Sequence, residues 1–77
     1  MKTIPIFIVT RNSSDRTVKV GDKVYYSPNG DLNLICKDGG WIDAEDLTPE
    51  ITDFEYVIDQ NKEVVIDNRR RERIVAK

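Results

Sequence analysis

Apolar residues in this chain come in short bursts between turn signals, a spacing that predicts strands rather than helices. Ile4-Pro5-Ile6-Phe7-Ile8-Val9 is β-branched or aromatic almost throughout, so it predicts a strand buried on both faces. Pro5 has no amide donor and belongs at that strand's start or on an edge. Asn12-Ser13-Ser14-Asp15 reads as a polar loop. Val18, Val20, Val24 and Tyr26 share one parity and predict one core-facing side, interrupted by a turn or bulge at Gly21-Asp22. Ser27-Pro28-Asn29-Gly30 is a turn, because proline presets φ and Asn-Gly tolerates positive φ. Leu32, Leu34 and Cys36 then alternate with Asn33, Ile35 and Lys37, as in a half-buried strand. Asp38-Gly39-Gly40 is a second tight turn.

Trp41-Ile42 opens a short strand, and Ala44-Glu45-Asp46-Leu47 reads as one turn of 3₁₀ helix stopped by Thr48-Pro49. Phe54, Tyr56 and Ile58 alternate with Glu55, Val57 and Asp59. Asp59-Gln60-Asn61-Lys62 is expected to turn the chain back into Val64-Val65-Ile66, making a C-terminal hairpin. Residues 68–77 read as a last strand, Arg73-Ile74-Val75, or a short charged helix, with the strand preferred.

Two of these stretches resemble parts of SH3-like barrels. Val18-Lys19-Val20-Gly21-Asp22-Lys23-Val24 resembles the diverging-turn segment, where a hydrophobic strand enters through a Gly-Asp pair. Gly40-Trp41-Ile42-Asp43-Ala44-Glu45-Asp46-Leu47 resembles the segment built from a glycine, two apolar positions, a 3₁₀ turn and a closing apolar residue. The resemblance spans about residues 17–58. It implies an all-β fold: one domain over residues 1–77, a small SH3-like barrel with an additional C-terminal β-hairpin. Within it Gly39-Gly40 permit a tight turn, and Trp41 or Ile42 caps the barrel. Trp41 is therefore expected to be largely buried and central to stability. The Pro, Tyr and Trp that form the groove of peptide-binding SH3 domains are missing; Asp43 and Asp46 stand in the corresponding segment. Polyproline recognition is not expected.

Composition narrows the chemistry. The chain has 77 residues, one cysteine and no histidine, so no internal disulfide forms and a structural zinc site is excluded. The first apolar run is broken at Pro5 and Thr10-Arg11, too short for a secretory signal, and no stretch approaches the roughly 20 apolar residues of a membrane span. A cytoplasmic location is expected, with no membrane partner.

Charge is uneven. Residues 38–67 hold ten acids against Lys62, a net −9, while residues 1–37 carry +3 and residues 68–77 carry +4. The expected arrangement is compensation, with the terminal arginines beside Asp53, Glu55 or Asp59 on a neighbouring strand.

No reaction is written in the side chains. Cys36 has no histidine to activate it, and its alternation with Leu32 and Leu34 marks it as a small core residue. Asp43, Glu45 and Asp46 do not surround a glycine-centred turn as calcium ligands do, and no phosphate-cradling glycine loop is present. No catalytic residue, metal or cofactor is expected. Arg69, Arg70, Arg71 and Arg73 are the sharpest local feature, either a phosphate grip or a charged guard on an edge strand. An acidic pI of about 5.0 argues against nucleic acid. The expected function is a non-catalytic accessory or protein-interaction module of a bacterial or phage cytosol. Arg69, Arg70, Arg71, Arg73 and Trp41 are its candidate partner-binding residues. The alternative is a nucleic-acid-binding small β-barrel using the arginine cluster. A homodimer paired through the Ile4–Val9 run is a further expectation.

Overall fold

Short β-rich bursts need backbone partners, and here they find one another in a single curled sheet. The computed structural model describes residues 2–36, 39–47 and 53–77, and among these there are six strands and no helix. They are β1 (Lys2–Arg11), β2 (Lys23–Tyr26), β3 (Leu32–Ile35), β4 (Ala44–Asp46), β5 (Glu55–Ile66) and β6 (Glu72–Ala76). All neighbours are antiparallel, in the order β4-β3-β2-β1-β5-β6. Asp38 of the second expected turn and the Thr48-Pro49 stop lie outside the described residues.

Side chains alternate across a strand, so one sheet carries two cores. On one face Val9, Val24 and Leu32 pack with Phe7 and Leu34, covered by Val18, Leu47 and Phe54 from the connections. On the other, Ile4, Ile6, Tyr25, Val64 and Ile74 pack with Ile35, Ile42 and Ile66. The second face is concave. Tyr25 on β2 donates its hydroxyl across β1 and β5 to Glu72 on β6, at 2.5 Å, which only a strong curl allows. The sheet is thus a half-barrel. Of the Ile4–Val9 run, Ile4 and Ile6 are buried on the concave face and Val9 on the other, Phe7 and Ile8 are half-buried, and Pro5 is exposed where β1 is paired with β5 alone.

Several expectations change. Residues 59–62 do not reverse the chain. β5 runs through them, but Pro5 pairs with Glu63 and Phe7 with Ile58, so Ile6 alone stands opposite four residues of β5. The polar stretch is a wide bulge, held by the Asp59 carboxylate, which accepts the Asn61 N–H at 2.9 Å and pairs with Lys23 at 3.5 Å. The reversal comes later, at residues 67–71, and the preferred last strand is present as β6. Ala44–Asp46 is strand rather than 3₁₀ turn, because it pairs with β3 and Leu47 continues the ladder by donating to the Leu32 carbonyl at 3.0 Å. Of the four residues of shared parity, Val18 and Val24 are buried, whereas Val20 and Tyr26 are exposed. Val20 sits in the turn before β2, with its N–H on Asn12 Oδ1 at 2.7 Å. Cys36 is exposed rather than core, since β3 ends at Ile35 and the alternation no longer binds it.

Candidate partner-binding cleft

Gly39 and Gly40 adopt φ of +102° and +92°, a conformation that L side chains rarely take. This bend, rather than a strand, carries Trp41. It lays Gly40 close to β6, where an added Cβ would sit 3.9 Å from the Ile74 carbonyl oxygen. Ile42 then turns inward and packs on the concave core, and Trp41 turns outward, 65% exposed. The expectation of a buried Trp41 is therefore corrected: Ile42 takes the capping position and the indole faces solvent.

Trp41 is one wall of a cleft of about 80 Å³ whose other walls are Val65, Asp67, Arg71, Glu72 and Arg73. The β5–β6 turn shapes it. Asp67 Oδ1 accepts the N–H groups of Arg69 at 2.8 Å and Arg71 at 2.9 Å, and Oδ2 accepts Arg71 Nε at 3.0 Å. The Arg71 N–H foremost, then that of Arg69 and the Arg71 guanidinium, hold the Asp67 carboxyl below the usual carboxylate range. Arg70 completes the turn in the left-handed region, at φ 61°. Glu72 accepts the Tyr25 hydroxyl; burial first, then that bond and the Glu72 charge, pushes the Tyr25 phenol up. Arg71, Asp67 and Glu72 are thus already partnered. Arg73 makes no ion pair with a described residue. Among the described residues, the cleft offers one guanidinium without an ion pair beside one exposed indole.

Of the sequence-derived candidates, the fold brings Trp41, Arg71 and Arg73 to this cleft. Arg70 lines a different groove, with Lys2, Ser27, Pro28, Asn29, Ile66 and Glu72. Arg69 lines neither. Val65, Asp67 and Glu72 were not singled out from the sequence. The signal for Asp67 was there: Asp-Asn after an apolar run is a side-chain-capped turn.

The expected charge compensation is also rearranged. Glu55 pairs with Arg11 at 3.4 Å and Asp59 with Lys23, both from the N-terminal third. Asp53 instead accepts the N–H of Ser14 at 2.9 Å and its hydroxyl. Elsewhere, the partial loss of water around the exposed Cys36 thiol first, then the Glu45 and Asp43 charges, push its pKa up, so it stays protonated and weakly nucleophilic. Among the described residues no group of three or more Cys, Asp or Glu is placed to hold a metal ion, and no helix is long and apolar enough to cross a membrane. No family model matches the chain, and neither a curated protein nor a solved structure matches it.

Proposed function

We propose that the chain is a non-catalytic protein-interaction module that holds an acidic segment of a partner protein against the Trp41–Arg73 cleft. The carrying observation is the pairing of an indole 65% exposed with an arginine that no described acid neutralises. Tryptophan and arginine are the residues most enriched among binding hot spots. A carboxylate on Arg73, next to an apolar group on Trp41 and Val65, matches the chemistry of the walls. The reading keeps a small SH3-like barrel as its fold frame, supported by the β1–β4 meander, the return of β5 beside β1 and the curl of the sheet. It also keeps the cytoplasmic setting that an unpaired thiol suits, and the bacterial or phage source that a compact size and the lack of evident chemistry fit.

A peptide-display selection on the full chain tests it. Enriched peptides should carry Asp or Glu next to an apolar side chain. Their binding, measured by calorimetry, should be lost in Trp41→Ala and in Arg73→Glu while both variants keep the parent melting temperature. Peptides that bind Trp41→Ala as tightly as the parent would remove the cleft from the account. The alternative, nucleic-acid binding through Arg69–Arg73, has less support, because the arginines are divided between two grooves and Arg71 is committed to Asp67. DNA binding with a log-affinity against log-salt slope of about −3.6, the value for four neutralised phosphates, would put it first.

A further inference from the structure

Among the described residues, the first half of β5 has a strand neighbour on one side only. β1 pairs with it, Arg11 to Glu55, Val9 to Tyr56, Ile8 to Val57 and Phe7 to Ile58, whereas β6 joins β5 only from Lys62 onward. An unpaired edge is a template for another chain, and proteins blunt such edges with charge, proline or bulges. The outer strands of this sheet are blunted: β4 is Ala-Glu-Asp and very short, and β6 begins Glu72-Arg73. The β5 edge is not. Tyr56, Val57 and Ile58 follow one another at 41%, 54% and 45% exposure. Tyr56 also extends a row of rings, lying 4.9 Å edge-on from Phe7, which meets Tyr26 at 6.4 Å.

The backbone at this edge points the right way. Val9 bonds toward the β2 side, its N–H to the Asp22 carbonyl and its carbonyl to the Gly21 N–H. Antiparallel strands alternate, so Ile8 bonds toward Val57, and Tyr56 and Ile58 turn their N–H and C=O groups to the open side. We propose that a second copy of this chain pairs antiparallel along this edge, with Val57 on the two-fold axis. Tyr56 of each copy then exchanges both backbone hydrogen bonds with Ile58 of the other, and Val57 meets Val57.

Self-complementarity selects the second copy as occupant. With the axis on Val57, apolar residues face apolar residues throughout the exposed stretch. With the axis on Tyr56, Val57 faces Glu55; with the axis on Ile58, Val57 faces Asp59. The chosen register does set Glu55 opposite Asp59, but each arrives with its own cation, Arg11 and Lys23. Such an interface is isologous, the commonest kind in soluble oligomers. It also differs from pairing through Ile4–Val9, a run the fold uses up inside β1.

Sedimentation equilibrium of the full chain at about 100 μM should show a dimer. Val57→Glu and Val57→Lys each place like charges on the axis, so each should be monomeric with the parent circular dichroism. An equimolar mixture of the two should dimerise again, since Glu then meets Lys. Hydrogen exchange on the parent needs no variant: dilution to about 1 μM should speed exchange at the Tyr56 and Ile58 amides and leave Val57 unchanged. A monomeric parent, a dimer that persists in both variants, a mixture that stays monomeric, or protection of Tyr56 and Ile58 independent of concentration would each overturn the proposal.

Discussion

Trp41 and Ile42 are chain neighbours with opposite tasks. Composition favours a buried tryptophan, and period-2 reasoning works inside a strand. At Gly39-Gly40 the backbone is in a positive-φ bend, so nothing in the sequence says which of two adjacent apolar residues turns inward. The structure assigns Ile42 to the core, and stability should follow. Trp41→Ala should shift the melting temperature by no more than about 2–4 °C, the scale of a surface substitution in a domain of this size. Ile42→Ala should cost more, toward the low end of the roughly 2–5 kcal/mol typical of isoleucine truncation, because Ile42 is only half-buried. Equal melting temperatures for the two variants would return Trp41 to the core. Asp67 gives a second residue-level expectation. Its folded-state pKa lies below that of the unfolded chain, so its stabilisation is fully present above the unfolded value of about 3.9. It is lost as pH falls through that value toward the folded one. Thermal melts of Asp67→Asn against the parent should therefore differ near neutral pH and converge below about pH 4. A gap that stays constant down to pH 2 would mean that the carboxylate charge plays no part in the turn.

Among the elements, β5 shows how far a sequence of this kind can be read. Its apolar alternation was legible on both sides of residues 59–62, and so was the polar break between them. Asp-Gln-Asn-Lys suits a reversal and a bulge equally. The choice depends on whether Val64-Val65-Ile66 pairs back on Phe54–Ile58 or onward along β1, and that is a long-range contact. β1 is long enough to pair with both halves, which makes the bulge the outcome. β4 was misread for a related reason: a 3₁₀ turn satisfies its own backbone, but β3 offered an open ladder. The bulge rests on Asp59, a buried carboxylate with two partners. Asp59→Ala strands the Asn61 N–H and leaves the Lys23 ammonium without its counter-charge. Lys23 is partly exposed and can turn to solvent, so the loss should be roughly 1–3 kcal/mol rather than that of a fully buried pair. Urea unfolding would show it as a lower midpoint with the slope unchanged. A midpoint equal to the parent's would mean that the ladder, not Asp59, holds the bulge.

Across the whole molecule, the sequence required that an acidic middle lie near basic ends, but it could not say which end. Topology decides. The acidic first half of β5 lies against β1, and β1 lies against β2, so Arg11 and Lys23 reach Glu55 and Asp59. β6 instead pairs with Lys62–Ile66, where Val65 faces Arg73, and among the described residues the terminal arginines pair with no acid but Asp67. Replacing Arg69, Arg70 and Arg73 together by Gln should thus leave the melting temperature in low salt within about 2–4 °C of the parent. Arg11→Gln should cost about 0.2–1 kcal/mol in low salt, an exposed-pair value, and the difference should fade as added salt shortens the screening length to a few ångströms. Lys23→Gln should keep most of its effect at high salt, because Asp59 is buried and screened little by ions. The comparison separates two readings of the tail. A large loss in the triple variant would make the arginines structural and leave them unavailable to a partner. No loss there, with losses at Arg11 and Lys23, leaves Arg73 free to meet a ligand's carboxylate beside Trp41.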